Sequence, residues 1–133
     1  MTLEDDERWV LSEMYMEKAQ EALIVSEEQI ETHPNFSVSS AYYSMFYAAQ
    51  SALVREGIAG IRRHEGVNSK FNECFVKAGS FSNDLYRMMG RLEQDRYRAD
   101  YNPRAKITAQ EARESNENAK KFVAAVEQMF EKR

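Results

Sequence analysis

Apolar residues recur every three to four positions in five separate stretches of the chain. This spacing places apolar side chains on one face of a helix, and no stretch alternates as a half-buried strand would. The pattern predicts helices over residues 3–31, 39–55, 67–78, 83–101 and 108–132. The sequence therefore predicts an all-α fold with four long helices and one short helix.

Turn-forming residues indicate where these helices begin and end. Pro34 is expected to end the first helix, because the residue before a proline is pushed out of helical conformations. The second helix carries apolar residues nearly all round, which predicts a central position in the fold. Further caps and stops are expected at Ser37, at Gly57, at Gly79, at Ser82 or Asn83, and at Thr108 with Glu111.

The connections between the predicted helices are short, which favours an up-and-down bundle. Gly90 lies inside the fourth helix, where glycine costs about 1 kcal/mol relative to alanine. We interpret it as a point where another helix approaches closely. Since 133 residues suffice for one hydrophobic core, we predict a single domain that spans residues 1–133.

The composition excludes several classes of protein. A net charge of −4 argues against broad, non-specific binding of nucleic acid, although a local basic site remains compatible with it. Cys74 is the only cysteine, and neither His33 nor His64 has metal-ligand spacing, so we expect no disulfide, metal or cofactor. The acidic N-terminus does not resemble a signal peptide, and no apolar run approaches the ~18 residues of a membrane span. We expect a cytoplasmic protein that does not contact membranes.

Charged and aromatic residues concentrate at the end of the fourth predicted helix, in RLEQDRYRADYNPR at 91–104. Arg96 and Asp100 are four residues apart and share one helix face. One interpretation is a solvated helix end held by ion pairs. The other is a polar site for phosphate or a partner, because guanidinium groups match phosphate geometry. The candidate phosphate ligands are Arg91, Arg96 and Arg98.

Two further residues have open interpretations. His64, within RRHEGV at 62–67, is either a proton acceptor or a polar loop residue that caps the following helix. Tyr101 either presents its hydroxyl at the polar site or closes the hydrophobic seam. Cys74 lies among apolar positions and is interpreted as a small core residue rather than a nucleophile.

Five motifs occur in an order that resembles the HEPN domain, in particular its small stand-alone branch. They are AYYSMFYAAQSAL at 41–53, Gly57, RRHEGV at 62–67, FVKAG at 75–79 and RYRADYNP at 96–103. The resemblance covers roughly residues 8–130. It implies a helical bundle that pairs as a homodimer, with the polar end of the fourth helix near the two-fold axis. Many members are RNases, several are toxins, and a small nucleotidyltransferase is often their companion.

The chain departs from the active members of that family in one respect. Their signature is an arginine followed four to six residues later by a histidine, but Asp100 and Tyr101 stand where that histidine would lie. RNA cleavage through the 2′-hydroxyl needs a proton acceptor and a group that stabilises the phosphorane, and Arg96 suits the second role. Asp100, with a reference pKa of about 3.9, is a poor proton acceptor at neutral pH. His64 is the remaining candidate.

Three functions follow from these observations. The first, which the resemblance implies, is a homodimeric module of the toxin–antitoxin type that binds a nucleotidyltransferase partner and a nucleotide or RNA. The alternative is a metal-independent endoribonuclease whose candidate catalytic residues are Arg96, Asp100, Tyr101 and His64. A purely structural helical domain is the third.

Overall fold

Across residues 4–61 and 63–131, which the computed structural model describes, the chain forms five α-helices and no strand. The helices are α1 (Asp5–Glu28), α2 (Pro34–Arg55), α3 (His64–Phe71), α4 (Asn83–Tyr101) and α5 (Ala109–Glu131). The predicted all-α fold with four long helices and one short helix is confirmed. The predicted ends at residues 3 and 132, and Arg62 in the RRHEGV motif, lie outside the described residues.

Pro34 begins α2, so the prediction that Ser37 caps the second helix is wrong. Proline is tolerated at the first helical position because its missing N–H has no intrahelical partner there and its φ already suits a helix. Ser37 lies three residues inside α2 and is fully buried. Its hydroxyl donates to the Ser26 carbonyl at 2.7 Å, and it therefore joins α2 to α1.

The other predicted caps agree with the structure. The Ser82 hydroxyl accepts a hydrogen bond from a backbone N–H in the first turn of α4, at 3.0 Å. At the start of α5, the Thr108 hydroxyl accepts from the Glu111 N–H at 3.1 Å, and the Glu111 carboxylate accepts from the Thr108 N–H at 3.4 Å. The expected stops have positive φ, as glycine allows: Gly57 (+83°) and Gly79 (+86°).

The short third helix differs from its prediction. It begins at His64, three residues earlier than expected, and passes after Phe71 into a π-helical turn at Asn72–Val76. A π turn shifts the side chains that follow it, and Phe71 and Phe75 both enter the core with ring centroids 5.0 Å apart. The early start gives His64 a fixed position beside α2.

Helix α2 is the centre of the bundle, because it packs against α1, α3, α4 and α5. Its fully buried side chains include Ala41, Tyr42, Met45, Ala48, Ala49 and Ala52. The alanines let neighbouring helices approach closely, and the aromatic residues fill the remaining space. None of the helices in the described part of the chain is long and apolar enough to cross a membrane.

Two reciprocal serine pairs fix α1 against α2. Ser12 donates to the Ser51 carbonyl at 3.0 Å and Ser51 donates to the Ser12 carbonyl at 2.7 Å. Ser26 and Ser37 exchange hydrogen bonds in the same way. From the first pair to the second, the position on α1 advances by fourteen residues and the position on α2 goes back by fourteen. The two helices are therefore antiparallel, and the two pairs fix the same alignment of one helix along the other. Buried hydroxyls need partners, and each pair satisfies both of its members.

Gly90 faces solvent, and a Cβ atom built there would meet nothing within 4 Å. The close helix approach that we expected at this residue is therefore not made by residues 4–61 or 63–131.

Gly90→Ala should raise the free energy of unfolding by about 1 kcal/mol, because alanine is the better helix former and has room at this position. Urea denaturation followed by circular dichroism measures the change. Gly79→Ala is the matched control and should destabilise the protein, since its φ of +86° strains a residue with a side chain. A loss of stability in Gly90→Ala would contradict the exposed placement of this residue.

Candidate functional site

The site forms around Arg96, which α4 presents to the central helix. Its side chain is only 12% exposed. The guanidinium carbon lies 4.7 Å from the ring centre of Tyr42 and 6.0 Å from that of Tyr43. A cation over the face of an aromatic ring is attracted by the ring's quadrupole, which partly offsets the loss of water around the charge.

The polar contacts of Arg96 are few. One terminal nitrogen lies 3.6 Å from a carboxylate oxygen of Asp100, which is an ion pair too long for a direct hydrogen bond. The same nitrogen donates to the Tyr101 hydroxyl at 3.4 Å, and the buried Nε donates to no group in the described part of the chain. Asp100 also accepts a hydrogen bond from the Ser39 hydroxyl. Arg96 thus keeps donor capacity for an additional acceptor.

The environment keeps Arg96 protonated. Burial acts to lower the pKa of its guanidinium, but the hydrogen bond to Tyr101 and the nearby phenol groups of Tyr42 and Tyr43 act in the opposite direction. The net result is a raised pKa. The site therefore holds a permanent positive charge in a largely water-excluded position.

His64, the first residue of α3, reaches the same tyrosine from the other side. Its Nδ1 is hydrogen-bonded to the Tyr42 hydroxyl, and its ring stacks on Phe46 with centroids 4.4 Å apart. Burial raises the pKa of the Tyr42 phenol, so the hydroxyl stays protonated. His64 and Arg96, which are 32 positions apart in the sequence, are thus joined through one side chain.

The His64 imidazole is held neutral. Burial lowers its pKa first, and the positive charge of Arg96 lowers it further, while Glu93 opposes both effects. Glu93 lies three residues before Arg96 and accepts a hydrogen bond from Asn68 at 3.1 Å. Within the described residues, Nε2 of His64 has no hydrogen-bond partner. In the tautomer whose Nδ1–H donates to the Tyr42 hydroxyl, Nε2 carries no proton and can accept one.

The structure brings four of the predicted site residues together and separates the other two. A helix turns by 100° per residue, so Arg91 and Arg98 lie roughly 140° and 160° around α4 from Arg96. Arg98 forms an ion pair with Glu111 at 2.6 Å. Arg91 is exposed and lines a separate surface hollow beside Gly90. The residues that meet at one place are His64, Arg96, Asp100 and Tyr101.

Exposed aromatic residues border the site. Tyr97 and Tyr101 are 64% and 60% exposed, and their ring centres are 5.0 Å apart. The Tyr101 ring is also 5.5 Å from the guanidinium carbon of Arg96. An aromatic surface beside a fixed cation is suited to a nucleotide, because a base can stack while its phosphate pairs with the charge.

Sequence reasoning missed several contributors to the site. Tyr42 and Tyr43 entered the sequence analysis only as part of an apolar, central second helix, and Glu93 and Ser39 were not singled out. Tyr42 is indeed fully buried, but a buried phenol requires a hydrogen-bond partner. The presence of two adjacent tyrosines in a central helix was the signal that polar groups from other helices would converge there.

The described residues offer no group of three His, Cys, Asp or Glu side chains that could hold a metal ion. The functional groups that the site provides are a guanidinium, a neutral imidazole, phenols and a carboxylate.

The all-α bundle agrees with a comparison against known families. Residues 12–129 match the family described as the HEPN domain. The match covers most of the chain, and the protein therefore belongs to the HEPN domain family.

Individual relatives come from bacteria and archaea. A UPF0332 protein of Thermotoga maritima is 27% identical over 71% of this chain and 71% of its own length. A protein of Methanocaldococcus jannaschii, named as a candidate toxin, is 32% identical over 75% of this chain and 68% of its own. A UPF0332 protein of Pyrococcus horikoshii is 49% identical over 32% of this chain and 30% of its own.

The pKa of His64 should lie below its ordinary value and should rise in Arg96→Gln, because a nearby positive charge is removed. It should fall further in Glu93→Gln, because that substitution removes the negative charge that favours the imidazolium. Titration of the imidazole resonances by NMR measures both shifts. Arg91→Gln removes a charge from another face of α4 and is the control. Equal pKa values in the wild type and Arg96→Gln would refute the electrostatic link between the two residues.

Proposed function

We propose that this chain is the toxin-type component of a toxin–antitoxin pair and that it binds the phosphate of RNA or a nucleotide at Arg96. The observation that carries the proposal is a nearly buried guanidinium with unused donor capacity, beside the exposed rings of Tyr97 and Tyr101. Membership in the HEPN family and the toxin designation of the Methanocaldococcus jannaschii relative support the same role.

A phosphate would compete with Asp100 for Arg96. The existing ion pair is long, at 3.6 Å, and a phosphate oxygen can form a shorter, charge-assisted hydrogen bond to the same group. Tyr97 and Tyr101 would then stack against a base, and base–aromatic stacking contributes about 1–3 kcal/mol per base. Because the whole protein carries a charge of −4, such binding would depend on this local site rather than on a broad basic surface.

The proposal includes two protein partners. One is a second copy of the chain, and the other is a small nucleotidyltransferase that acts as the antitoxin. In the proposed homodimer the polar end of α4 lies near the two-fold axis, so that Tyr97 and Tyr101 of both copies border one cleft. Light scattering of the purified chain tests the first partner, and co-purification with a nucleotidyltransferase encoded beside it tests the second.

The link from His64 through Tyr42 to Arg96 favours a second candidate function, metal-independent cleavage of RNA. His64 Nε2 would take the proton of a 2′-hydroxyl, whose oxygen then attacks the adjacent phosphorus while Arg96 stabilises the added negative charge. The 5′ oxygen would leave with a proton from Tyr101, and a 2′,3′-cyclic phosphate would remain. The test measures RNA cleavage in the presence of EDTA. Cleavage that is lost in His64→Gln and kept in the control variant His33→Gln would establish this activity. Unchanged cleavage by His64→Gln would reject it.

Arg96→Ala should weaken binding of a fluorescent single-stranded RNA 12-mer by about tenfold or more, because a charge-assisted contact is lost. The slope of log affinity against log salt should fall by about 1, as expected for the loss of one phosphate contact. Fluorescence anisotropy measures both, and competition with AMP tests whether a mononucleotide occupies the same site.

Arg91→Ala is the matched control, since it removes an equal charge from another face of α4. Equal losses of affinity in the two variants would argue against a site at Arg96 and for diffuse electrostatic attraction.

A further inference from the structure

A groove of about 570 Å³ runs between α1 and α5, beside the C-terminal end of α2. The two helices that form it are antiparallel: Gln20 donates to Glu127 at 2.6 Å, and Lys120 pairs with Glu27 at 3.2 Å further along. Its apolar lining residues are Met16, Ile24 and Phe130. Ile24 is 60% exposed, so part of this apolar surface faces water.

Glutamates form both edges of the groove. Glu13, Glu17 and Glu21 follow one another at four-residue spacing along α1, and Glu127 and Glu131 do so along α5. No lysine or arginine among the described residues forms an ion pair with any of the five. Like charges one turn apart destabilise a helix, and a cationic ligand would relieve this repulsion.

Among the described residues that line the groove, Arg55 is the one cation, and it is engaged in other contacts. Its Nε donates to the Ser12 hydroxyl at 2.8 Å. Its guanidinium carbon lies 4.0 Å from the ring centre of Trp9 and 3.7 Å from that of Phe130. These contacts hold Arg55 in place, so among the described lining residues five carboxylates face one fixed positive charge.

The dimensions of the groove suit a helix. The part of α1 that lines the groove advances by eleven residues from Glu13 to Ile24, which corresponds to roughly 16 Å and three helical turns. Two helices that lie side by side offer a hollow into which the apolar stripe of a third helix can pack. An apolar stripe flanked by lysines and arginines would match the apolar lining and the acidic edges together.

We propose that this groove binds a basic amphipathic helix, about three turns long, of a partner protein. Its apolar residues at positions i, i+3 or i+4, and i+7 contact Met16, Ile24 and Phe130, and its lysines and arginines pair with the glutamates. The proposal does not rest on the RNA site. Arg55 is thirteen residues from Tyr42 along α2, which separates the two surfaces by roughly 20 Å.

The test uses a 14-residue acetylated peptide with leucines on one helical face and lysines on the flanks. A matched peptide carries glutamate in place of each lysine. Anisotropy of the labelled peptide measures affinity, and Trp9 is the only tryptophan of the chain, so its fluorescence reports events at Arg55. We expect saturable binding of the lysine peptide that weakens with salt, and no binding of the glutamate peptide.

Two pairs of variants separate the groove from the rest of the acidic surface. Glu17→Lys and Ile24→Ser should each weaken binding of the lysine peptide by about fivefold or more. Glu114→Lys and Phe36→Ser are the matched controls, because both side chains are exposed and lie outside the groove; they should change affinity by less than about twofold. All four positions are exposed, and circular dichroism checks that each variant is folded.

Several results would overturn the proposal. Equal binding of the two peptides, or equal affinity of Ile24→Ser and Phe36→Ser, would mean that the groove is not the docking site. A different outcome is that the chain binds neither peptide but self-associates, and that Ile24→Ser abolishes this self-association. A second copy of the chain would then cover the groove instead.

Discussion

The hydrogen bond and ring contacts of one buried phenol, Tyr42, determine how the site is assembled. A phenol that is removed from water must find a polar partner, and His64 at the start of α3 provides it. The face of the same ring accepts the guanidinium of Arg96 from α4. Helices α2, α3 and α4 therefore meet at one side chain. If His64 moved away, the buried Tyr42 hydroxyl would lose its hydrogen-bond partner, and if Arg96 moved away, its guanidinium would lose the contact with the Tyr42 ring.

This arrangement explains why the site can be polar and still belong to the core. Arg96 is buried by aromatic rings rather than by a short carboxylate pair, so its charge is tolerated but not fully neutralised. Its charge and the partial burial of His64 keep the imidazole neutral. The same contacts that stabilise the bundle thus hold a guanidinium with an unpartnered Nε close to a neutral imidazole.

Helix positions and most caps were predictable because they depend on local sequence. The periodic apolar residues, Ser82 before α4, and the pair of Thr108 and Glu111 before α5 act within one or two turns. The start of α2 was predicted too late, with Ser37 as its cap, because Pro34 was interpreted only as the end of the first helix and a proline can also begin a helix. The link between His64 and Arg96 could not be derived from spacing, since it depends on how α3 and α4 pack on α2. Helical geometry alone places Arg91 and Arg98 on other faces of α4 than Arg96. Which of these faces meets α2 could be learned only from the orientation of α4 in the bundle.

The most direct test of a phosphate site at Arg96 is an NMR spectrum of the arginine side-chain Nε–H groups during titration with a short single-stranded RNA. The Arg96 signal is assigned by its absence in Arg96→Lys. We predict that this signal shifts saturably and more than those of Arg91 and Arg98, because of these three guanidinium groups that of Arg96 lies beside Tyr42 and Tyr101 and keeps a buried Nε without a partner in the described residues. An unchanged Arg96 signal, with shifts at Arg91 or Arg98, would contradict the account.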